Sequence, residues 1–162
     1  MTKEEALKLF LSKEAKSVSA DFVGNAMLHL RKEERAETVS QFVEQVTQML
    51  KKAPSLSFFQ IVLVRGQALS GGPFYRLEAY DEELYLSEPI RESWLEAEWL
   101  YQAYRHFLKK VEEEGHKYIK IGEAELNRIK LAELWTCQKI IRFLFFESLC
   151  SILQSEEYQD LV

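Results

Sequence analysis

The chain has 162 residues, 47% of them apolar and 29% charged, with a net charge of −5. That is enough apolar material for one core and too much for a disordered polymer. Residues 1–56 hold nine Lys/Arg against eight Asp/Glu, and residues 57–162 hold twelve against eighteen. This balance argues against a phosphate backbone as partner.

Thr2 followed by Glu5 is a capping box, which predicts a first helix over about 3–12, with Leu7, Phe10 and Leu11 on its apolar face. Ser17 or Ser19 opens a second helix, reaching about Lys32. A third runs over about 36–52, where Val39, Phe42, Val43, Val46, Met49 and Leu50 recur at 3–4 spacing until Pro54 stops it. Phe58 to Val64 is then a short, nearly continuous apolar run, the pattern of a strand buried on both faces. Residues 65–72, with Gly66, Gly71 and Gly72, read as a loop. Phe74 to Tyr80 alternates as a second strand, and Leu84 with Leu86 continues as a third, completing an antiparallel meander.

Pro89 suits the first turn of a fourth helix, expected to run to Glu114 and to stop at Gly115 as its C′ residue. Tyr118 to Ile121 fits either a short strand or the start of the last helix, which spans about 123–154 and is apolar almost all round in its second half. Such a helix belongs in the middle of a bundle or in an oligomer interface. The polar tail from Ser155 is expected to fray. The expected architecture is α+β, one domain over 1–162: N-terminal helices over 1–53, a meander over 56–88 and two long helices over 89–154. A small three-stranded antiparallel sheet would pack against a bundle of about five helices.

No signal peptide is visible, and the longest apolar stretch, Ile140 to Leu153, is interrupted by Arg142 and Glu147 and falls short of the about 20 residues a bilayer needs. Cys137 and Cys150 lie on one predicted helix, roughly 20 Å apart along its axis, beyond disulfide reach. Unpaired, they suit a reducing compartment, and a cytoplasmic location is expected. Their simplest role is as small core residues.

Chemistry-bearing patterns are sparse. The Arg65–Pro73 segment joins strand to strand, whereas a phosphate-binding loop leads into a helix. The histidines are His29, His106 and His116, and the Glu113/His116 spacing is broken by Gly115 and has no second copy. No metal and no cofactor is expected. No nucleophile elbow is present. Glu88, Glu92 and Glu96 would share one face at the start of the fourth helix, where acids favour its dipole. Glu147, among Phe143–Leu149, falls on the helix's one polar seam with Glu133, Thr136, Cys137, Ser148 and Ser151.

Two functional expectations follow. The first is a non-enzymatic protein acting through a protein partner or itself, with an acidic surface suited to neutralising a basic partner. Its binding residues would be Leu95, Trp99 and His106, a second stripe on the fourth helix. The alternative is a small-molecule binder or enzyme with an aromatic pocket between sheet and helices, lined by Tyr75, Arg76, Trp94 and Tyr104, with Glu147 as a further candidate. Neither nucleic acid nor membrane is an expected partner.

Overall fold

In the computed structural model, which describes residues 1–31, 33–53, 55–83, 86 and 88–160, the capping box forms as the sequence requires. The Thr2 hydroxyl accepts from the Glu5 amide at 3.1 Å, and the Glu5 carboxylate accepts from the Thr2 amide at 2.7 Å. Helix α1 (Lys3–Phe10) does not end at residue 12. It passes through a π-helical stretch, Leu11–Ala15, straight into α2 (Lys16–Leu28). The buried residues explain why: Ala6, Phe10, Ala15, Val18, Phe22 and Ala26. Their one five-residue step, Phe10 to Ala15, is the one that a π turn accommodates while keeping a single face inward. The predicted second-helix terminus at Lys32 lies outside the described residues.

Helix α3 (Arg35–Lys51) buries Phe42, Val46, Met49 and Leu50, matching its 3–4 spacing; the stop assigned to Pro54 also lies outside the described residues. The antiparallel sheet has the order β1-β2-β3, with β1 (Phe58–Leu63), β2 (Tyr75–Tyr80) and β3 (Arg91–Trp94). Gln60 lies opposite Glu78, and Arg76 opposite Trp94.

Four sequence expectations are corrected here. The stretch expected as a loop between β1 and β2 contains a short helix, α4 (Arg65–Ser70), closed by Gly71 in the left-handed region at φ 77°. The third strand was expected at Leu84 and Leu86: Leu84 lies outside the described residues, and Leu86 sits in a turn, 90% exposed. That strand comes instead from residues expected to start the fourth helix. Docking on β2 satisfies the backbone of 91–94 in a ladder, and this tertiary pairing overrides the local helical signals. Helix α5 therefore begins at Glu98, not Pro89 (Glu98–Gly115), and Glu88, Glu92 and Glu96 share no helix face. Gly115 is the last helical residue rather than a left-handed C′, and it serves close packing: a Cβ there would run into the Leu126 side chain.

Tyr118 to Ile121 is a turn leading to α6 (Glu123–Leu153). The tail does not simply fray: Ser155 caps α7 (Glu156–Gln159) by accepting from the Tyr158 amide at 3.2 Å. No helix among the described residues is long and apolar enough to cross a membrane. The result is an α+β fold with a small sheet packed against helices.

The core centres on aromatic rings at the meeting of α2, β2 and α5. Tyr104 packs at 5.8 Å from Phe22 and 5.1 Å from Phe74, centroid to centroid. Its hydroxyl donates to the Lys130 carbonyl of α6 at 2.6 Å. Tyr101 donates to the Leu95 carbonyl at 2.8 Å. The Tyr75 hydroxyl, equally buried, finds no partner among the described residues. An orphaned buried hydroxyl destabilises, whereas a satisfied one contributes about 1 kcal/mol. Tyr104→Phe is therefore expected to lower Tm by roughly 2–4 °C, while Tyr75→Phe leaves Tm unchanged or raises it. Calorimetry on the two variants checks the contrast.

Candidate functional site

Helix α6 has apolar residues all round its second half but buries only one stripe of them. Leu126, Leu134, Cys137, Ile140, Ile141, Leu144 and Ile152 face inward. Trp135 is 57% exposed and Phe146 64%, with Phe143 and Leu153 also open. The helix expected in the middle of a bundle or in an oligomer interface is thus buried along one stripe and leaves an aromatic flank exposed. Along it, Lys139 sits with its ammonium 5.7 Å from the Trp135 ring centroid, and Arg142 lies one turn further on. Neither cation has an ion pair among the described residues.

This flank borders β1. The ladder parity is set by the Val64 amide, which donates to the Phe74 carbonyl at 2.8 Å, and by the register of Leu63 opposite Tyr75. Even-numbered residues of β1 therefore exchange bonds with β2, and Phe59, Ile61 and Leu63 aim their backbone groups away from the sheet. No described residue pairs with those groups. The expectation of a strand buried on both faces is thus corrected: β1 is an edge, with Phe58 44% exposed and the remaining five residues half-buried. Its composition is that of a central strand because its inward side chains reach the core margin, but no described element pairs with its outer edge. Between β1 and α6 runs an open groove of about 300 Å³, lined by Phe59, Ile61 and Leu63 on one side and Ile141, Phe145 and Phe146 on the other, with Gln138 and Arg142 among its polar lining.

On the opposite face of the sheet, alternation brings Gln60, Arg76, Glu78, Tyr80, Glu92 and Trp94 together. Glu78 is buried, and its carboxylate accepts from Gln60 Nε2 at 2.9 Å, Arg76 Nε at 2.6 Å and the Tyr80 hydroxyl at 2.7 Å. Burial pushes this carboxyl up, but the bonds from Tyr80, Gln60 and Arg76 together outweigh it and hold it below its usual range. Arg76 also reaches Glu92 at 3.5 Å and lies 5.9 Å from the Trp94 ring centroid. Beyond β3, a polar cleft of about 770 Å³ opens toward α3, with Gln41, Glu44, Gln48 and Trp94 in its walls. Gln45 braces it with two bonds to the Glu96 backbone, at 3.3 and 2.7 Å.

The residues singled out from sequence are dispersed. Leu95 precedes α5 and is 2% exposed, in the core. Trp99 is half-buried and stacked on His29 of the N-terminal helices at 5.1 Å. His106 is exposed. They form no common stripe, because α5 starts too late to include Leu95. Tyr75 and Tyr104 lie inside the core, Arg76 and Trp94 on the outer sheet face. Glu147 is exposed and ion-paired with Arg35, but the polar seam expected around it is not formed as such, since Cys137 and Ser148 are buried. No single pocket joins these five. Cys137 is buried, and burial pushes its thiol up. Cys150 is exposed, a correction to its expected core role, since its stripe of α6 faces outward. No family model, curated protein or solved structure matches the chain.

The Glu78 cluster carries a pH signature. Because the folded carboxyl titrates below the ordinary value of 4.5, its stabilisation is complete above that value and is lost as pH falls through the folded one. Glu78→Gln is expected to cost about 2 kcal/mol at pH 7, a Tm fall of roughly 4–8 °C. The difference from wild type should narrow on acidification below the ordinary carboxylate range. Paired thermal melts across pH check it; a constant difference contradicts it.

Proposed function

We propose that the protein is a non-catalytic interaction module that docks a partner protein by strand addition to the free edge of β1. One observation carries this reading: a six-residue strand of central-strand composition, Phe58-Phe59-Gln60-Ile61-Val62-Leu63, stands at a sheet edge. Edges are ordinarily guarded by charge, proline, a bulge or a covering element; β1 contains no charge or proline, and no described element hydrogen-bonds to its edge. An added strand would pair with three outward-facing backbone positions and slide side chains into the adjoining groove, the general mode of β-augmentation. The two unpaired cysteines suit a reducing, cytoplasmic setting for such a module.

A second reading rests on the polar cleft beside Trp94. Side-chain amides, carboxylates and an indole in one open cleft suit a small polar ligand such as a sugar. Calorimetric titration with mono- and oligosaccharides tests it: heat that disappears in Trp94→Ala supports it, and no heat rejects it.

For strand addition the test uses the direction of one N–H. The Ile61 amide faces outward, so proline there removes no ladder bond but blocks a docking strand. A photo-crosslinking residue placed at Phe146 is expected to trap a partner in cells. Ile61→Ala should weaken trapping through lost apolar contact, and Ile61→Pro, compared at equal folded fraction, should abolish it. Trapping that is equal in the alanine and proline variants rejects the edge as the docking site.

A further inference from the structure

The groove beside β1 is asymmetric in charge as well as shape, and this narrows its occupant. Resting on the reading of β1 as a docking edge, we infer that the docked segment is an extended acidic peptide, with apolar side chains at alternate positions and Asp or Glu carboxylates that meet Arg142 and Lys139.

The apolar requirement follows from strand geometry. A chain added to β1 turns alternate residues to the same face as Phe59, Ile61 and Leu63, one every ~7 Å. Those residues enter a groove whose other wall is Ile141, Phe145 and Phe146. Charged side chains there would be desolvated without a partner, so the alternation inside the groove is apolar.

The charge requirement follows from α6. Arg142 belongs to the groove lining and is exposed. Lys139, one turn earlier, is also exposed. The residues three and four positions to either side of Arg142 are Gln138, Lys139, Phe145 and Phe146; around Lys139 they are Trp135, Thr136, Arg142 and Phe143. No carboxylate is within helical reach of either cation, and neither is ion-paired among the described residues. The two acids of α6 that flank the pair are engaged elsewhere: Glu133 accepts from the Thr136 hydroxyl at 2.7 Å, and Glu147 is ion-paired with Arg35. The chain's net charge is −5, but this flank carries two cations and no acid within helical reach of them. Positive charge meeting negative charge at a rim steers encounter and selects partners.

The same charges disfavour a second copy. A pairing of β1 with β1 about a two-fold axis is isologous. It would set Arg142 and Lys139 of both copies along one joined sheet, while β1 itself supplies no acidic residue to meet them.

Selection from a display library of random nine-residue peptides tests the inference, with affinities measured by fluorescence polarisation and the docking site by amide hydrogen exchange. Wild type is expected to enrich peptides with alternating apolar residues and Asp or Glu. These should bind at least tenfold tighter than their Asn/Gln counterparts at low salt, with the gap closing as salt rises, and should slow exchange at Phe59, Ile61 and Leu63. The double variant Lys139→Glu/Arg142→Glu, altered only at exposed positions, should enrich Lys- and Arg-bearing peptides instead. Neutral or basic selectants on wild type, or an acidic preference that survives the double variant, would overturn the acidic specificity and leave strand addition standing. Selectants that leave those three amides unprotected, or no selectants at all, overturn strand addition and the inference with it. A dimer in sedimentation equilibrium that Ile61→Pro dissolves would overturn the acidic peptide in favour of self-pairing.

Discussion

The structure depends on one tyrosine. Tyr104 is fully buried on α5, yet its ring touches Phe22 from α2 and Phe74 from the segment leading into β2, and its hydroxyl is spent on the α6 backbone at Lys130. Four parts of the chain, distant in sequence, are thereby held at one point. Edge-to-face ring packing sets the angles between them, and the hydroxyl, satisfied inside the core, adds stability where an unsatisfied one would subtract it. Lys130 contributes a second tie at the same place, its ammonium 2.6 Å from Glu112 of α5.

Once α5 and α6 are fixed there, the sheet has little freedom. Phe74 is drawn into the aromatic cluster, and the Leu95 amide closes the ladder on the Tyr75 carbonyl at 2.9 Å. β2 becomes the central strand, with Leu77 and Ala79 buried beneath it and Glu78 buried above it. A sheet of this size cannot close on itself, so two edges remain. The β3 edge looks onto a polar cleft and carries Arg91, Glu92 and Trp94. The β1 edge carries no charge and borders the exposed aromatic flank of α6. That difference between the two edges gives the fold its functional direction.

Buried carboxylates and exposed cations are treated in opposite ways. Glu78 is surrounded by donors from Gln60, Arg76 and Tyr80 and is fully satisfied. Its charge stabilises the sheet and is not free for chemistry. Glu147, by contrast, reaches Arg35, and this pair joins α6 to α3 at the surface. Arg142 and Lys139 have no ion pair among the described residues, and Arg142 lines the groove beside β1.

The helices and two of the strands were legible in the sequence because their signals are local. The Thr2–Glu5 box, the 3–4 spacing of α3 and the alternation of Tyr75 to Tyr80 each follow from side chains within a turn or two. The β1 residues of the candidate site were legible as a strand, though not as an edge, because an apolar run reports burial demand and not which neighbour meets it. Trp135, Lys139, Arg142 and Phe146 were missed; the only signal was an α6 apolar all round its second half. Local signals misassigned Arg91 to Trp94, where pairing with β2 outweighs the helical start at Pro89, and they separated α1 from α2, where a π turn keeps Phe10 and Ala15 on one face. By itself the sequence determined the helix-rich α+β class and the stretches that need covering, since composition and periodicity act over short range. Only the tertiary structure decided which strand is the edge, which face of α6 is left open and which cations go unpaired, because those depend on contacts between segments that the chain brings together only when it folds.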